Sequence, residues 1–174
     1  MASYKNIRAF AFDVDGVFTD GGILCDLQGE LYRTFDAKDS FAVRMAVMRG
    51  YGVAVITGGR SRSITQRFLS CGVSEEDIYL GSRVKTEELA DFCARRGYSP
   101  DEILFIGDDI PDIGCMKLCG IGLCPADASV EVLRMADEVS EFSGGRGCVR
   151  DAVTRVMKAR GDWEFDPQLY KKMF

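Results

Sequence analysis

The sequence contains no histidine, and this absence excludes several kinds of chemistry. Ser-His-Asp and Cys-His catalysis, phosphohistidine chemistry and histidine-ligated metal sites all require an imidazole. Any reaction that the chain catalyses must therefore use carboxylates, lysine, hydroxyl groups or a hard metal ion.

The chain also lacks a surplus of basic residues and a long apolar segment. Its 22 basic and 27 acidic residues give a net charge of −5, so no basic face stands out to release counterions from a phosphate backbone. We therefore expect no nucleic-acid partner. No segment approaches the roughly 20 apolar residues that span a bilayer, and the first residues lack the pattern of a secretory signal. The sequence predicts a cytoplasmic protein with no membrane partner.

No C-x-x-C pair occurs among the seven cysteines, which are scattered along the chain. An odd number of separated cysteines is unlike a disulfide framework or a zinc site. Cys115 and Cys119 could share one face of a helix, but two thiols without further ligands make a weak metal site. We predict reduced, buried thiols.

Short apolar runs alternate with longer amphipathic segments, which is the pattern of repeated βαβ units. The predicted strands are residues 7–12, 53–56, 78–80, 103–106 and 121–123. The predicted helices are residues 40–49, 61–71, 86–96, 111–119, 129–135 and 149–159. This predicts an α/β fold in which helices cover both faces of a mostly parallel sheet. With 174 residues, 47% of them hydrophobic, a single domain over residues 1–160 is the simplest organisation.

Two segments do not follow the alternation. Residues 17–35 alternate apolar and polar side chains around Asp26-Leu27-Gln28-Gly29, which predicts an inserted β-hairpin flap with a glycine-containing turn. The charged and aromatic residues 161–174 are predicted to form a loosely held C-terminal extension.

The first predicted strand ends in Asp13-Val14-Asp15-Gly16. In open α/β sheets, ligands bind just outside the carboxyl ends of the strands. Because side chains in a strand alternate with a period of two, Asp13 and Asp15 point to the same side if the extended conformation continues. Both could then reach one ion or phosphoryl group, and Gly16 permits a sharp change of direction. Taken alone, the motif also fits an aspartate that caps the next turn.

Two further strand ends carry groups that suit phosphate. Thr57-Gly58-Gly59 follows the second strand and precedes Arg60, so a hydroxyl, backbone N–H groups and a helix N-terminus lie together. Lys85 opens the helix after the third strand, where a cation opposes the helix dipole. The charge of a phosphate group would compensate for this. Each residue alone also fits a structural or surface role.

The fourth predicted strand is followed by Gly107-Asp108-Asp109-Ile110-Pro111-Asp112, which places three carboxylates within five positions. Clustered carboxylate oxygens suit Mg²⁺, which prefers octahedral coordination by a few carboxylates, waters and substrate oxygens. The pattern leaves open whether Asp109 or Asp112 contacts the metal.

The chain resembles the haloacid dehalogenase superfamily of phosphotransferases over about residues 7–123. The resemblance rests on four motifs that occur in this order: D-x-D-G, T-G-G, Lys and G-D-D-x-x-D. The resemblance implies a Rossmann-like fold and Mg²⁺-dependent hydrolysis of a phosphomonoester through an aspartyl-phosphate. It implies that Asp13 is the nucleophile and Asp15 the general acid and base, and that Thr57 and Lys85 hold the phosphoryl group. It also implies a metal site made up of Asp13, Asp108 and the backbone carbonyl of Asp15, in which Asp109 supports the cluster or the metal.

The chain is further similar to the 3-deoxy-D-manno-octulosonate 8-phosphate phosphatases of bacterial lipopolysaccharide synthesis over about residues 7–163. Residues 13–21, 34–44, 56–61, 81–86, 107–112 and 144–151 carry this similarity. These phosphatases have no cap domain, and neither interval between the motifs leaves room for one here. The resemblance implies a sugar-acid phosphate substrate and a homotetramer with active sites near subunit interfaces. The implied substrate-binding candidates are Lys38, Asp39, Arg60 and Arg146, in addition to Asp15, Thr57, Gly58, Gly59 and Lys85.

Three alternatives stay open. Ser40 and Ser82 depart from the glycine and glutamine of many of these phosphatases, so a nine-carbon 2-keto-3-deoxy sugar-acid 9-phosphate of the KDN or sialic acid type is an alternative substrate. A phosphoacceptor receiver domain also combines an acidic cluster, a threonine and a lysine around a parallel sheet, and it would accumulate stable phosphoprotein. The third alternative is a non-catalytic tetramerisation module. The presence of all four motif residues, Asp13, Asp15, Lys85 and Asp108, argues against the loss of catalysis.

Overall fold

The computed structural model describes residues 3–174, so residues 1 and 2 of the predicted domain lie outside the described part of the chain. Its strands are β1 (Ala9–Phe12), β2 (Leu24–Cys25), β3 (Leu31–Tyr32), β4 (Gly52–Thr57), β5 (Ile78–Leu80), β6 (Ile103–Ile106), β7 (Ile121–Cys124) and β8 (Glu138–Val139). Six of them form one parallel sheet in the order β5-β4-β1-β6-β7-β8. The remaining two, β2 and β3, form a separate antiparallel pair.

The helices are α1 (Ala37–Met48), α2 (Arg62–Leu69), α3 (Lys85–Arg96), α4 (Ile113–Leu118), α5 (Val130–Leu133), α6 (Cys148–Arg160) and α7 (Pro167–Met173). Parallel neighbours cannot be joined by tight turns, so longer crossover segments, most of them helical, link the strands of the sheet. The predicted α/β fold is therefore confirmed. No helix within residues 3–174 combines the length and apolar character that a membrane crossing requires.

The sheet is buried on both faces because side chains of successive strand residues point to opposite sides. On one face, Phe10 and Phe12 of β1 belong to a core cluster that includes residues of α1 and α6. On the other face, Ala9 and Ala11 belong to a cluster that includes Leu89 of α3 and residues of α4. All four strand residues of β1 are fully buried, which explains why this strand reads as a continuous apolar run.

Most element boundaries lie within a few residues of their predicted positions, and the differences have local causes. The helix predicted to start at residue 40 starts at Ala37, because the Asp36 carboxylate accepts hydrogen bonds from the N–H groups of Lys38 (2.7 Å) and Asp39 (3.0 Å). The helix predicted over residues 111–119 is a 3₁₀ turn at Ile110–Asp112 followed by α4. Strand β8 was not predicted, since two residues carry no periodic pattern.

The predicted β-hairpin is confirmed, but its strands are only two residues long. Leu24 pairs with Tyr32 and Cys25 with Leu31, while the Asp26 side chain holds the turn by accepting the N–H groups of residues 28 and 30, each at 2.9 Å. The first residues of the predicted segment, starting with Val17, are buried and belong to the core rather than to the hairpin.

The C-terminal residues are not loosely held, contrary to the expectation from their composition. The Tyr51 hydroxyl donates a hydrogen bond to Asp162 (2.6 Å), and Arg44 of α1 donates one to the Tyr170 hydroxyl of α7 (2.8 Å). Trp163 and Tyr170 pack against the core cluster. Aromatic side chains therefore fix this segment to the domain.

Candidate active site

The ends of β1, β4 and β6 meet at one edge of the sheet because these three strands are neighbours. A cavity of about 450 Å³ lies at this edge. The predicted site residues that line it are Asp13, Asp15, Thr57, Gly58, Gly59, Lys85, Asp108 and Asp109. The sheet order thus brings four separate sequence motifs to a single cavity.

Asp13 and Lys85 form a buried ion pair at the bottom of this cavity. The Lys85 Nζ lies 2.6 Å from Asp13 Oδ1, and each residue is less than a tenth exposed. Burial, and then the charge of Asp112, raise the pKa of Asp13 to about 7. Burial opposes the charged form of Lys85, but the charges of Asp13 and Asp112 together outweigh this and hold its pKa above the ordinary value. The ammonium therefore favours the ionised form of Asp13 against burial and the charge of Asp112.

Asp112 is the second carboxylate on Lys85, also at 2.6 Å, and it is almost fully buried. Its other oxygen accepts hydrogen bonds from the backbone N–H groups of Asp108 (3.2 Å) and Asp109 (3.3 Å). The 3₁₀ turn at Ile110–Asp112 turns this side chain back toward the end of β6. Asp112 consequently lies inside the site, whereas the neighbouring Asp109 is exposed.

Three carboxylates are close enough to hold one metal ion. One oxygen each of Asp13, Asp108 and Asp112 lie within 4.8 Å of one another. Burial, followed by the charges of Asp112 and Asp109, raises the pKa of Asp108 to about 7. Three crowded carboxylates with one ammonium leave an excess of negative charge, and an all-oxygen donor set of this kind fits Mg²⁺. The Asp109 side chain, which the resemblance placed near the metal, is not part of this triad, and Asp15 was expected to contribute only its backbone carbonyl.

Gly16 makes the approach of Asp108 possible. Its φ is +87°, and a Cβ at this position would overlap the Asp108 carboxylate. A side chain at residue 16 would therefore both strain the backbone and displace a candidate metal ligand.

Thr57, Gly58 and Gly59 form a small polar loop on the opposite side of Asp13. The Thr57 hydroxyl is buried and accepts the Gly59 N–H at 3.1 Å, and the Thr57 carbonyl accepts the Ser82 N–H at 2.9 Å. The Ser82 hydroxyl is buried in the same cavity and has no hydrogen-bond partner within residues 3–174. Hydroxyl and N–H groups beside Lys85 suit the oxygens of a phosphoryl group.

Four predicted substrate-binding residues do not line this cavity. Asp39 is fully buried and accepts hydrogen bonds from the N–H groups of Gly147 (3.1 Å) and Arg150 (2.7 Å), so it caps the start of α6. Burial raises its pKa to about 6. Lys38 and Arg146 line a second cavity of about 390 Å³. The fourth residue, Arg60, lies over Gly81.

The sequence did not reveal Arg33, which follows β3. Its guanidinium donates two hydrogen bonds to Asp15, from Nε to Oδ1 at 2.6 Å and from Nη2 to Oδ2 at 2.9 Å. The Arg33 side chain is only 2% exposed. An arginine near a hairpin reads as a surface residue, and no local spacing signals a pair separated by 18 residues.

Three comparisons with known proteins agree with this geometry. The sequence profile of the haloacid dehalogenase-like hydrolase family matches residues 45–149. The 3-deoxy-D-manno-octulosonate 8-phosphate phosphatase KdsC of Escherichia coli is 32% identical over 161 residues, which cover 92% of this chain and 85% of that enzyme.

Solved structures give the same result. A 3-deoxy-D-manno-octulosonate 8-phosphate phosphatase from Yersinia pestis superposes with a TM-score of 0.88 at 31% identity, covering 91% of this chain and 85% of the other. The phosphatase of that name from Moraxella catarrhalis, solved with a magnesium ion, a phosphate ion and a KDO molecule, has a TM-score of 0.88 at 28% identity and covers 92% and 91% of the two chains.

Proposed function

This chain belongs to the haloacid dehalogenase-like hydrolase family, as its motifs predicted, and we propose that it hydrolyses 3-deoxy-D-manno-octulosonate 8-phosphate. The chain is a phosphatase that uses Mg²⁺. The observation that carries the proposal is the buried pair of Asp13 and Lys85 at the meeting point of three strand ends. The relatives that bear this substrate in their names match about nine tenths of the chain, which supports the proposed substrate. We propose that the reaction belongs to bacterial lipopolysaccharide synthesis.

The first chemical step is attack by Asp13 on phosphorus. Its buried carboxylate is held at a fixed position by Lys85, which also neutralises charge as the phosphate approaches. The P–O bond to the sugar breaks, and Asp15 donates a proton to the leaving alkoxide. The product is an aspartyl-phosphate on Asp13 and a free sugar acid.

The second step releases phosphate. Asp15, now ionised, accepts a proton from a water molecule that attacks the aspartyl-phosphate, and this regenerates Asp13. Thr57 and the N–H groups of Gly58 and Gly59 hold phosphoryl oxygens through both steps, together with Lys85. When bound, Mg²⁺ supplies positive charge that reduces the repulsion between carboxylate and phosphate. The residues proposed to hold it are Asp13, Asp108 and Asp112, with the Asp15 carbonyl as a further candidate.

The test measures phosphate released from 3-deoxy-D-manno-octulosonate 8-phosphate. We expect turnover with Mg²⁺, loss of turnover with EDTA, and loss of turnover in Asp13→Asn, which keeps the shape of the side chain but removes the nucleophilic oxygen. Mg²⁺-dependent hydrolysis that survives in Asp13→Asn would contradict the covalent mechanism. A stable phosphoprotein without turnover would support a receiver domain, which the comparisons do not favour.

A matched pair of variants tests the metal site. Asp112→Asn and Asp109→Asn make the same chemical change three positions apart, but only Asp112 lies in the triad. We expect a larger rise in the Mg²⁺ concentration needed for half-maximal activity in Asp112→Asn. An equal or larger rise in Asp109→Asn would favour the metal set that the sequence predicted.

The size of the substrate is tested by comparing kcat/KM for the eight-carbon substrate with that for a nine-carbon 2-keto-3-deoxy sugar-acid 9-phosphate. The relatives are named for the eight-carbon compound and do not favour the larger one. We expect a higher kcat/KM with the eight-carbon phosphate. The opposite order would make the nine-carbon compound the physiological candidate.

We further propose that the chain acts as a homotetramer with active sites near subunit interfaces. The hairpin supports this, because Leu24, Leu27 and Tyr32 are exposed by 71%, 100% and 52% of their surfaces. Light scattering should give the mass of four chains, and Leu27→Glu should lower it, whereas a monomeric wild type would refute the proposal. Location in the cytoplasm stays a prediction, to be tested by cell fractionation.

A further inference from the structure

Arg33 contacts an active-site residue, and the proposed mechanism gives it no role. Its guanidinium contacts both oxygens of Asp15 through two parallel N–H groups, at 2.6 and 2.9 Å. This fork geometry restrains a carboxylate in both position and rotation, which a single lysine contact does not.

We propose that Arg33 is a positioning residue that holds the Asp15 carboxylate in the orientation needed for proton transfer, and that the hairpin supplies this residue to the site. The proposal deepens the proposed function and rests on Asp15 being its general acid and base.

The burial of Arg33 indicates that its contact with Asp15 is the reason for its place. The side chain is 2% exposed, and its Nη1 atom has no acceptor within residues 3–174. Burying a guanidinium with an unpaired donor costs stability, and a buried charge needs a partner. Among the ion pairs within residues 3–174, the only one made by Arg33 is with Asp15, which is part of the catalytic cavity.

Arg33 also contacts the loop that is proposed to bind phosphate. A Cβ added at Gly59 would lie 3.2 Å from Arg33 Nη2, so the guanidinium packs between Asp15 and this loop. Glycine at position 59 leaves the room for this approach. Arg33 thus fixes the position of the proton-transfer group relative to the groups that hold the phosphoryl oxygens.

The position of Arg33 in the chain links it to the hairpin. It directly follows β3, and together with Ile23, Leu24 and Tyr32 it lines a cavity of about 400 Å³ at the base of the hairpin. A change in the tilt of the hairpin would therefore move the guanidinium. Both oxygens of Asp15 accept N–H groups in this structure, and each oxygen keeps a second lone pair that can face the leaving group.

The experiment compares two substrates that differ in their need for an acid. The sugar-acid phosphate leaves as an alkoxide that must be protonated, whereas p-nitrophenyl phosphate leaves as a stable phenolate. Because a positioned acid or base contributes about 10²–10⁴ in rate, we expect Arg33→Met to lower kcat/KM roughly 100-fold with the sugar-acid phosphate and only about tenfold with p-nitrophenyl phosphate. The comparison uses kcat/KM because this quantity reports the steps up to formation of the aspartyl-phosphate, where the two leaving groups differ. Arg33→Lys should restore part of the loss and move the ratio of the two rates toward that of the wild type.

A double-mutant cycle separates positioning from a general structural effect. In an Asp15→Ala background, Arg33→Met should change kcat by less than about twofold, because effects on one functional unit are not additive. The matched control is Arg8→Met, which removes another arginine from a carboxylate, Glu102 at 3.0 Å, before β1 and away from the cavity. We expect this control to leave the substrate ratio unchanged.

Equal losses of kcat/KM with both substrates, or full additivity with Asp15→Ala, would overturn the role of Arg33. Should Arg33→Met fail to fold, the folded Arg33→Lys variant decides the question by its substrate ratio. The inference and the proposed function can fail separately. If the wild type turns over the sugar-acid phosphate and Asp13→Asn is inactive, but the effects of Arg33→Met and Asp15→Ala are additive, this inference is refuted and the proposed function stands. A wild-type chain without phosphatase activity refutes both.

Discussion

Replacing Lys85 by methionine tests how the charge in the site is balanced. Met is similar in length but has no charge, so Lys85→Met leaves Asp13 and Asp112 buried without the ammonium that lies 2.6 Å from each. Removing one partner of a buried ion pair costs about 3–5 kcal/mol, because the remaining charge is left uncompensated. We expect a loss of this size in the free energy of unfolding at pH 8 without metal.

The loss should depend on pH. The pKa of Asp13 is about 7 even with Lys85 present, so at pH 8 its protonated form lies only about 1.4 kcal/mol above the ionised form. Without Lys85 the pKa rises further, and the variant can avoid the buried charge by taking up a proton. A raised folded-state pKa contributes stability that is present below the unfolded pKa, near 4, and is lost as the pH rises through the folded pKa. The destabilisation by Lys85→Met should therefore shrink as the pH falls from 8 toward 6.

Urea unfolding at pH 6, 7 and 8 with EDTA measures this effect, and a parallel series with Mg²⁺ shows whether a divalent cation compensates for the missing ammonium. Arg8→Met serves as control, because Arg8 is exposed and its ion pair is screened by solvent. The reasoning would be refuted if Lys85→Met unfolded at the same urea concentration as the wild type at pH 8. It would equally be refuted if the destabilisation grew toward pH 6.

Three further substitutions have defined outcomes. Asp39→Ala removes the acceptor of two N–H groups at the start of α6. We expect urea unfolding to show a free energy of unfolding lower by about 1–2 kcal/mol, with little change in kcat. A large loss of kcat without loss of stability would instead indicate that Asp39 binds substrate. Gly16→Ala should lower Mg²⁺-dependent kcat by roughly 100-fold, because its Cβ displaces Asp108. The control is Gly29→Ala, where φ is also positive but no atom lies within 4 Å of the added Cβ. This control should leave kcat near the wild-type value. Tyr51→Phe removes the hydrogen bond from the Tyr51 hydroxyl to Asp162 of the C-terminal segment. The free energy of unfolding should fall by about 1 kcal/mol, and proteases should trim the segment faster. An unchanged rate of trimming would contradict the role of this bond.

The sequence was sufficient for the parts of the site that follow from sheet topology. Asp13, Thr57 and Asp108 each follow a strand, and parallel strands that are neighbours bring their carboxyl ends together. The strands also stood out because both faces of the sheet are buried, which makes β1 and β6 continuous apolar runs.

The remaining parts depend on contacts that no periodic pattern encodes. Whether Asp109 or Asp112 enters the site depends on a single 3₁₀ turn, and the two residues cannot be told apart by composition. The cap that Asp39 places on α6 joins residues more than 100 positions apart. Arg33 reaches Asp15 from the end of β3, at the base of the hairpin, and the length of a hairpin strand does not determine its tilt.

The hairpin contains a natural site for chemical labelling, the thiol of Cys25. All seven cysteines lie within residues 3–174, and Cys25 in β2 is the exposed one while the other six are buried. Burial raises the pKa of the Cys124 thiol to about 11 and that of Cys115 to about 12, which leaves almost no reactive thiolate at neutral pH. A maleimide dye or spin label should therefore attach to the natural sequence at one place. Movement of the hairpin during turnover could then be followed in the unmutated protein.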